Sequence, residues 1–166
     1  APFGKVLSGA KSALGVNTVQ NSGGFWGTDK TDADLAYNIL KWQDQNYAKF
    51  KDKTSETEYI SMAFFRQYLD TAMVPTHPGA IRYMKEIGKW TPADDDRQKF
   101  NEWRLKRYVE AYKAAIANAD SKKIDVDPKN SAWLAIWQKY VDEVYKLPPF
   151  VIMSDSDIKA ELAKIK

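Results

Sequence analysis

The side chains able to do chemistry are few. His77 is the only histidine of the chain and opens the run His77–Trp90, HPGAIRYMKEIGKW. A catalytic histidine needs a carboxylate to orient it and a nucleophile or a water to act on. A His-Pro-Gly at a helix start has a simpler reading. Proline fixes φ, the residue before it is driven extended, and glycine lets another backbone come close. His77 is therefore expected to be architectural. A metal site at His77 has little support, because one histidine and no cysteine leave only carboxylates to complete it. Asp94-Asp95-Asp96 is a second acidic candidate, but successive helical side chains point about 100° apart and do not converge on one ion. Placed in a first helical turn, the three complement the helix dipole. Asp125-Val-Asp127 has the opening spacing of a calcium loop. Pro128 follows it, and the glycine and distal glutamate of such a loop are missing, so a turn is predicted.

The run Arg97–Lys113, RQKFNEWRLKRYVEAYK, mixes six basic residues with aromatics, the composition of a nucleic-acid patch. On a helix, Lys99, Lys106 and Lys113 fall together while Arg97 and Arg104 lie on another side. Two narrow basic rows beside a buried stripe are a common solvated-helix pattern, and no nucleic-acid partner is expected. There is no phosphate loop, no G-x-S-x-G and no H-E-x-x-H. No catalytic residue, metal ligand or cofactor is predicted.

Composition agrees with this. The 166 residues suffice for one domain, or a large piece of a bigger protein, burying about 70% of the unfolded surface. Charge is nearly balanced, 25 basic against 22 acidic residues, so net charge gives little reason to expect nucleic acid or membrane. Zero cysteine excludes disulfides and thiolate chemistry, and suits a periplasmic chain as well as a cytosolic one. No apolar run approaches the ~20 residues of a membrane span. The first fifteen residues do not read as a signal peptide. Either a signal has been removed or the chain starts partway through a longer precursor.

The elements that must position these residues read as mainly α with a few short strands. Residues 1–30 are Gly-rich, with a strand expected near Val16–Phe25. Residues 31–149 form a helical body. Its first helix is capped by Thr31 and runs to about Lys53, with Leu35, Ile39, Trp42 and Phe50 on its inner stripe, widened by Leu40 and Tyr47. A second helix opens with the capping box Ser55–Glu58 and points apolar residues all round, from Tyr59 to Leu69. A third starts at Pro78 and ends at a left-handed Gly88. A fourth, capped by Thr91, runs to about Ala119 with Leu105, Val109, Tyr112 and Ile116 as its main stripe, while Phe100 and Trp103 point away from it, so the helix is expected to touch structure on two sides. A fifth begins near Ser131 with Trp133, Ile136, Trp137, Tyr140 and Val144 on one face, and Leu147-Pro148-Pro149 stops it. Residues 150–166 are predicted to be a short strand or extended piece, at Phe150–Met153, followed by a terminal helix.

The segment from Met73 to Pro92, MVPTHPGAIRYMKEIGKWTP, resembles the TAXI family of TRAP-transporter solute receptors. Their V-P-x-H-P-G-A-x-R-Y-x-K-E-x-G-x-W-like stretch is met here by Val74, Pro75, His77, Pro78, Gly79, Ala80, Arg82, Tyr83, Lys85, Glu86, Gly88 and Trp90. TDADLAYNILKWQDQNYAKF is similar to the helix that precedes it, and the resemblance spans about residues 20–118. It implies the C-terminal part of a two-lobed α/β periplasmic-binding-protein fold, type II-like. The function implied is a periplasmic or otherwise extracytoplasmic receptor that closes on a small organic-acid or amino-acid-like solute and passes it to membrane permease subunits. His77, Pro78, Gly79, Arg82 and Tyr83 would be its structural motif. Asn21, Trp26 and Thr28 would line the solute pocket. Family members are considerably longer and open with a strand and a Gly-rich ligand loop, so this chain is expected to pair with the N-terminal part of the same receptor. The rival expectations are a helical protein-interaction module, using Trp and Tyr of the fourth and fifth helices, and a nucleic-acid-binding helical domain.

Overall fold

A computed structural model describes residues 27–165. The strand expected at Val16–Phe25, and with it Asn21 and Trp26, lies outside the described residues. Those described are mostly helical, with no strand among them. They divide into two compact units: residues 27–70 with His77–Lys89, and Thr71–Thr76 with 90–165. The chain thus leaves the first unit after Asp70, contributes six residues to the second, and returns at His77.

In the first unit, α1 spans Ala33–Phe50. Its cap is Asp32 rather than Thr31, the carboxylate accepting from Leu35 N at 2.8 Å. The expected inner stripe of α1 faces outward: Leu35 and Trp42 are 54% and 61% exposed. Leu40, at the edge of that stripe, is buried as expected, and Gln43 is buried with it. The reason the stripe turns outward is close approach, since α3 comes backbone to backbone against Ala33 and Tyr37, which bulky side chains would prevent. The expected second helix is broken in two. A 3-10 helix covers Ser55–Ile60, and α2 covers Met62–Leu69. Ser61 is extended between them and accepts from Phe64 N at 3.1 Å, a serine cap where the continuous reading placed a helix interior. Only Met62 and Leu69 of α2 are buried. Helix α3, Pro78–Glu86, ends as read: Gly88 has φ +66°, and Lys89 N reaches back to Met84 O at 2.8 Å.

In the second unit, α4 runs from Pro92 to Ser121 behind a complete capping box of Thr91 and Asp94. Its buried face is Asp94, Arg97, Asn101, Arg104, Ala111, Ala115 and Ala119, at helical spacing, with Phe100 beside it. The expected stripe is half in solvent, Leu105 at 41% and Val109 at 44% exposed. Two local demands explain the reversal. Helix α5, Ser131–Lys139, lays Trp133 against Ala115 and Ala119, where small residues make room for indole. The other half of the face satisfies backbone that belongs to no regular element (below). After Lys139 a π-turn over Tyr140–Val144 advances the register, which leaves Val144 53% exposed rather than on the inner face. Phe150–Met153 forms no strand: the chain bends at Phe150 and Val151, where Val151 N donates to Pro149 O at 3.0 Å. No strand neighbours it among the described residues, and side chains of α4 take up the Met153 carbonyl and those of the two prolines before the piece. Helix α6, Asp155–Leu162, returns Ile158 to α4.

Candidate functional site

The motif residues of α3 sit together against α1. His77 is the N-cap of α3, extended at φ −64°, ψ 138°, as the proline after it requires. Its Nδ1 accepts from Gly79 N at 3.2 Å, and its Nε2 lies 3.1 Å from Thr31 O. A carbonyl only accepts, so the proton is on Nε2. Both ring nitrogens are therefore occupied by backbone, and neither is left to act on a bound molecule. Gly79 is buried where the helices touch: a Cβ there would stand 2.1 Å from Ala33 O and 2.8 Å from Tyr37 N.

Beyond the crossing, charge and aromatic rings hold the pair. Tyr83, 3% exposed, donates to Asp44 at 2.7 Å. Burial, and then the carboxylate it donates to, push the Tyr83 phenol up to about 12. Tyr37 donates to Glu86 at 2.5 Å, and Lys41 donates to both, at 2.7 and 3.0 Å. Those bonds, to Tyr37 first and then Glu86, raise Lys41 to about 12. The bonds from Tyr37 and then Lys41 hold the Glu86 carboxyl below its ordinary range. Arg82 pairs with Asp34 at 2.7 Å and lies 4.1 Å over the Tyr37 ring. Each charged group here answers another from the same two helices.

Thr28 is exposed in the turn that leads into α1. Its carbonyl accepts from Thr31 N at 3.0 Å and its amide donates to Thr31 Oγ1 at 2.9 Å. The structure therefore brings Thr28 to His77 through Thr31. Sequence reasoning missed an apolar groove of about 640 Å3 on the first unit, lined by Asn38, Ile39, Trp42, Gln43, Phe50 and Ile60. Trp42 and Phe50 stack beside it at 6.1 Å and 11°. The signal was present in the two aromatic rings, but the stripe reading turned Trp42 inward. Buried Gln43 donates to Ile60 O, while its Oε1 has no partner among the described residues. The groove offers apolar contact and no acid–base pair. The aspartate candidates fall in caps and turns: Asp94 completes the Thr91 box, Asp95 accepts from Trp90 Nε1 at 2.9 Å, and Asp127 from Lys129 N at 2.7 Å. Among the described residues no group of His, Asp and Glu side chains is gathered to hold a metal ion, and no helix is long and apolar enough to cross a membrane.

Residues 9–88 match the sequence model of the NMT1-like family, a family related to periplasmic solute-binding proteins. The match takes in the His77–Gly88 motif and ends one residue before the first unit does. No curated protein and no solved structure matches the chain. The family is one of binding proteins rather than enzymes, and the matched residues point to a solute-binding type of function.

Proposed function

We propose that the chain is the C-terminal portion of a TAXI-type solute receptor of a TRAP transport system, extracytoplasmic, binding a small carboxylate-bearing solute by lobe closure. The match over residues 9–88 supports the solute-binding part of this reading, and the resemblance of the Val74–Trp90 motif supports its TAXI form. The α1–α3 pair supports it as scaffold: the motif that resembles the receptor family forms a helix crossing whose polar groups bond to one another and to backbone. In this reading His77, Pro78, Gly79, Arg82 and Tyr83 hold the framework. Asn21, Trp26 and Thr28 belong to the pocket wall, whose remainder comes from the N-terminal part of the receptor. The membrane permease subunits are its downstream partners.

Two measurements test it. The reading frame upstream should encode a signal peptide and an α/β lobe. The intact receptor should gain thermal stability saturably with at least one member of a panel of organic acids and amino acids, as RT ln(1 + [L]/Kd) requires. An upstream frame without such a lobe, or no stabilisation by any member at millimolar concentration, overturns the proposal.

A further inference from the structure

In the second unit two irregular segments, 71–76 and 147–153, are held by the side chains of one face of α4. Gln98 accepts from Thr76 N at 2.7 Å and donates to Thr76 O at 3.1 Å. Asn101 donates to Ala72 O at 3.0 Å and Val74 O at 3.3 Å. Tyr108 donates to Pro148 O at 3.1 Å, and Arg97 to Met153 O at 3.0 Å. Each of these side chains serves one segment. Arg104 serves both: Nη2 donates to Met73 O at 2.6 Å and Nη1 to Pro149 O at 3.0 Å.

Arg104 is 1% exposed and has no carboxylate partner among the described residues. Its guanidinium lies between the Phe100 and Phe150 rings, 5.0 and 4.5 Å from their centroids, and Asn101 Oδ1 takes a further N–H at 2.9 Å. A buried cation that loses one of its few acceptors is penalised far more than a neutral donor would be. Its Nε already has no partner among the described residues, so if either segment lifts the guanidinium loses a further acceptor or follows the segment into water. Either outcome weakens its bond to the other segment.

We propose that Arg104 is a coupling latch: one guanidinium closes both segments on α4, so that they open and close together. The coupling joins two internal segments that are distant in sequence. Segment 71–76 leads directly into His77, the cap of α3, and segment 147–153 leads into α6. This inference stands independently of the receptor reading.

Amide hydrogen exchange on the full chain tests it. Phe150→Ala loosens the second segment by removing the ring that packs on Tyr108 and on the Arg104 guanidinium, and the Thr76 amide, bonded to Gln98, reports on the first. Phe150→Ala should speed Thr76 exchange by about fivefold or more, the lower range of allosteric coupling. In an Arg104→Met background the same substitution should leave Thr76 exchange unchanged. Arg104→Lys keeps charge and stem but lacks the planar fork that reaches two carbonyls, so it should also abolish the coupling and serves if the Met variant does not fold. Thr76 exchange unmoved by Phe150→Ala in the parent chain overturns the proposal. So does an undiminished effect in either Arg104 variant.

Discussion

At His77 one neutral imidazole serves two backbones, accepting from Gly79 N and donating to Thr31 O. Removing it strips a helix cap and a tie to the turn before α1, so His77→Ala should lower stability by about 1–2 kcal/mol. Gly79→Val should cost more, about 3 kcal/mol, because even a Cβ would meet Ala33 O at 2.1 Å and a backbone atom cannot turn aside. Denaturant melts of the two variants decide the order, and a milder Gly79→Val would show that α3 can slide on α1. Much of this was legible, because His-Pro-Gly is a local message about φ and close approach. The role of Thr31 was not. It reads as an ordinary helix cap until the histidine 46 residues later is brought to its carbonyl.

The α1–α3 pair is held by groups that titrate, so its stability depends on pH in a definable direction. Tyr83 is raised to about 12 in the folded chain from an ordinary value of about 10. The folded state thus holds the phenolic proton more tightly. The stabilisation is complete below about pH 10 and is lost as pH rises from there to about 12. Lys41 shifts the same way, though its exposure lets solvent screen the effect. Urea midpoints of parent and Tyr83→Phe measured near pH 8 and near pH 11 test this, with the parent expected to lose more stability over that interval. Equal losses would show that the buried phenol is not the sensor. Helix faces were less legible than helix ends. Thr91, Pro78 and Gly88 mark termini through their own backbone chemistry. Which face of α1 or α4 turns inward depends on what it meets. A polar face reading carbonyls of Met73 and Pro149 has no hydrophobic period to announce it.

Across the whole chain the division into two units escaped the sequence for a related reason. Residues 71–76 show no shift in composition, and Gln98, Asn101 and Arg104 of the second unit hold them. The same burial bears on what the molecule can bind. Of the six basic residues in the Arg97–Lys113 run, Arg97 and Arg104 are inside, bonded to Met153, Asp155, Met73 and Pro149. Arg107 is paired with Glu110 at 3.3 Å and lies over the Tyr145 ring at 4.7 Å. That leaves Lys99, Lys106 and Lys113 exposed on the outer side of α4. Neutralising phosphates with three lysines gives a log–log salt slope of about 3 or less. Binding of this helix to duplex or single-stranded DNA should therefore be weak at low salt and vanish by physiological salt. Fluorescence anisotropy with labelled oligonucleotides from about 20 to about 200 mM salt measures both slope and selectivity. Sequence-selective binding that survives physiological salt would mean the arginines leave the interior, and the receptor reading would lose its first place to a nucleic-acid one.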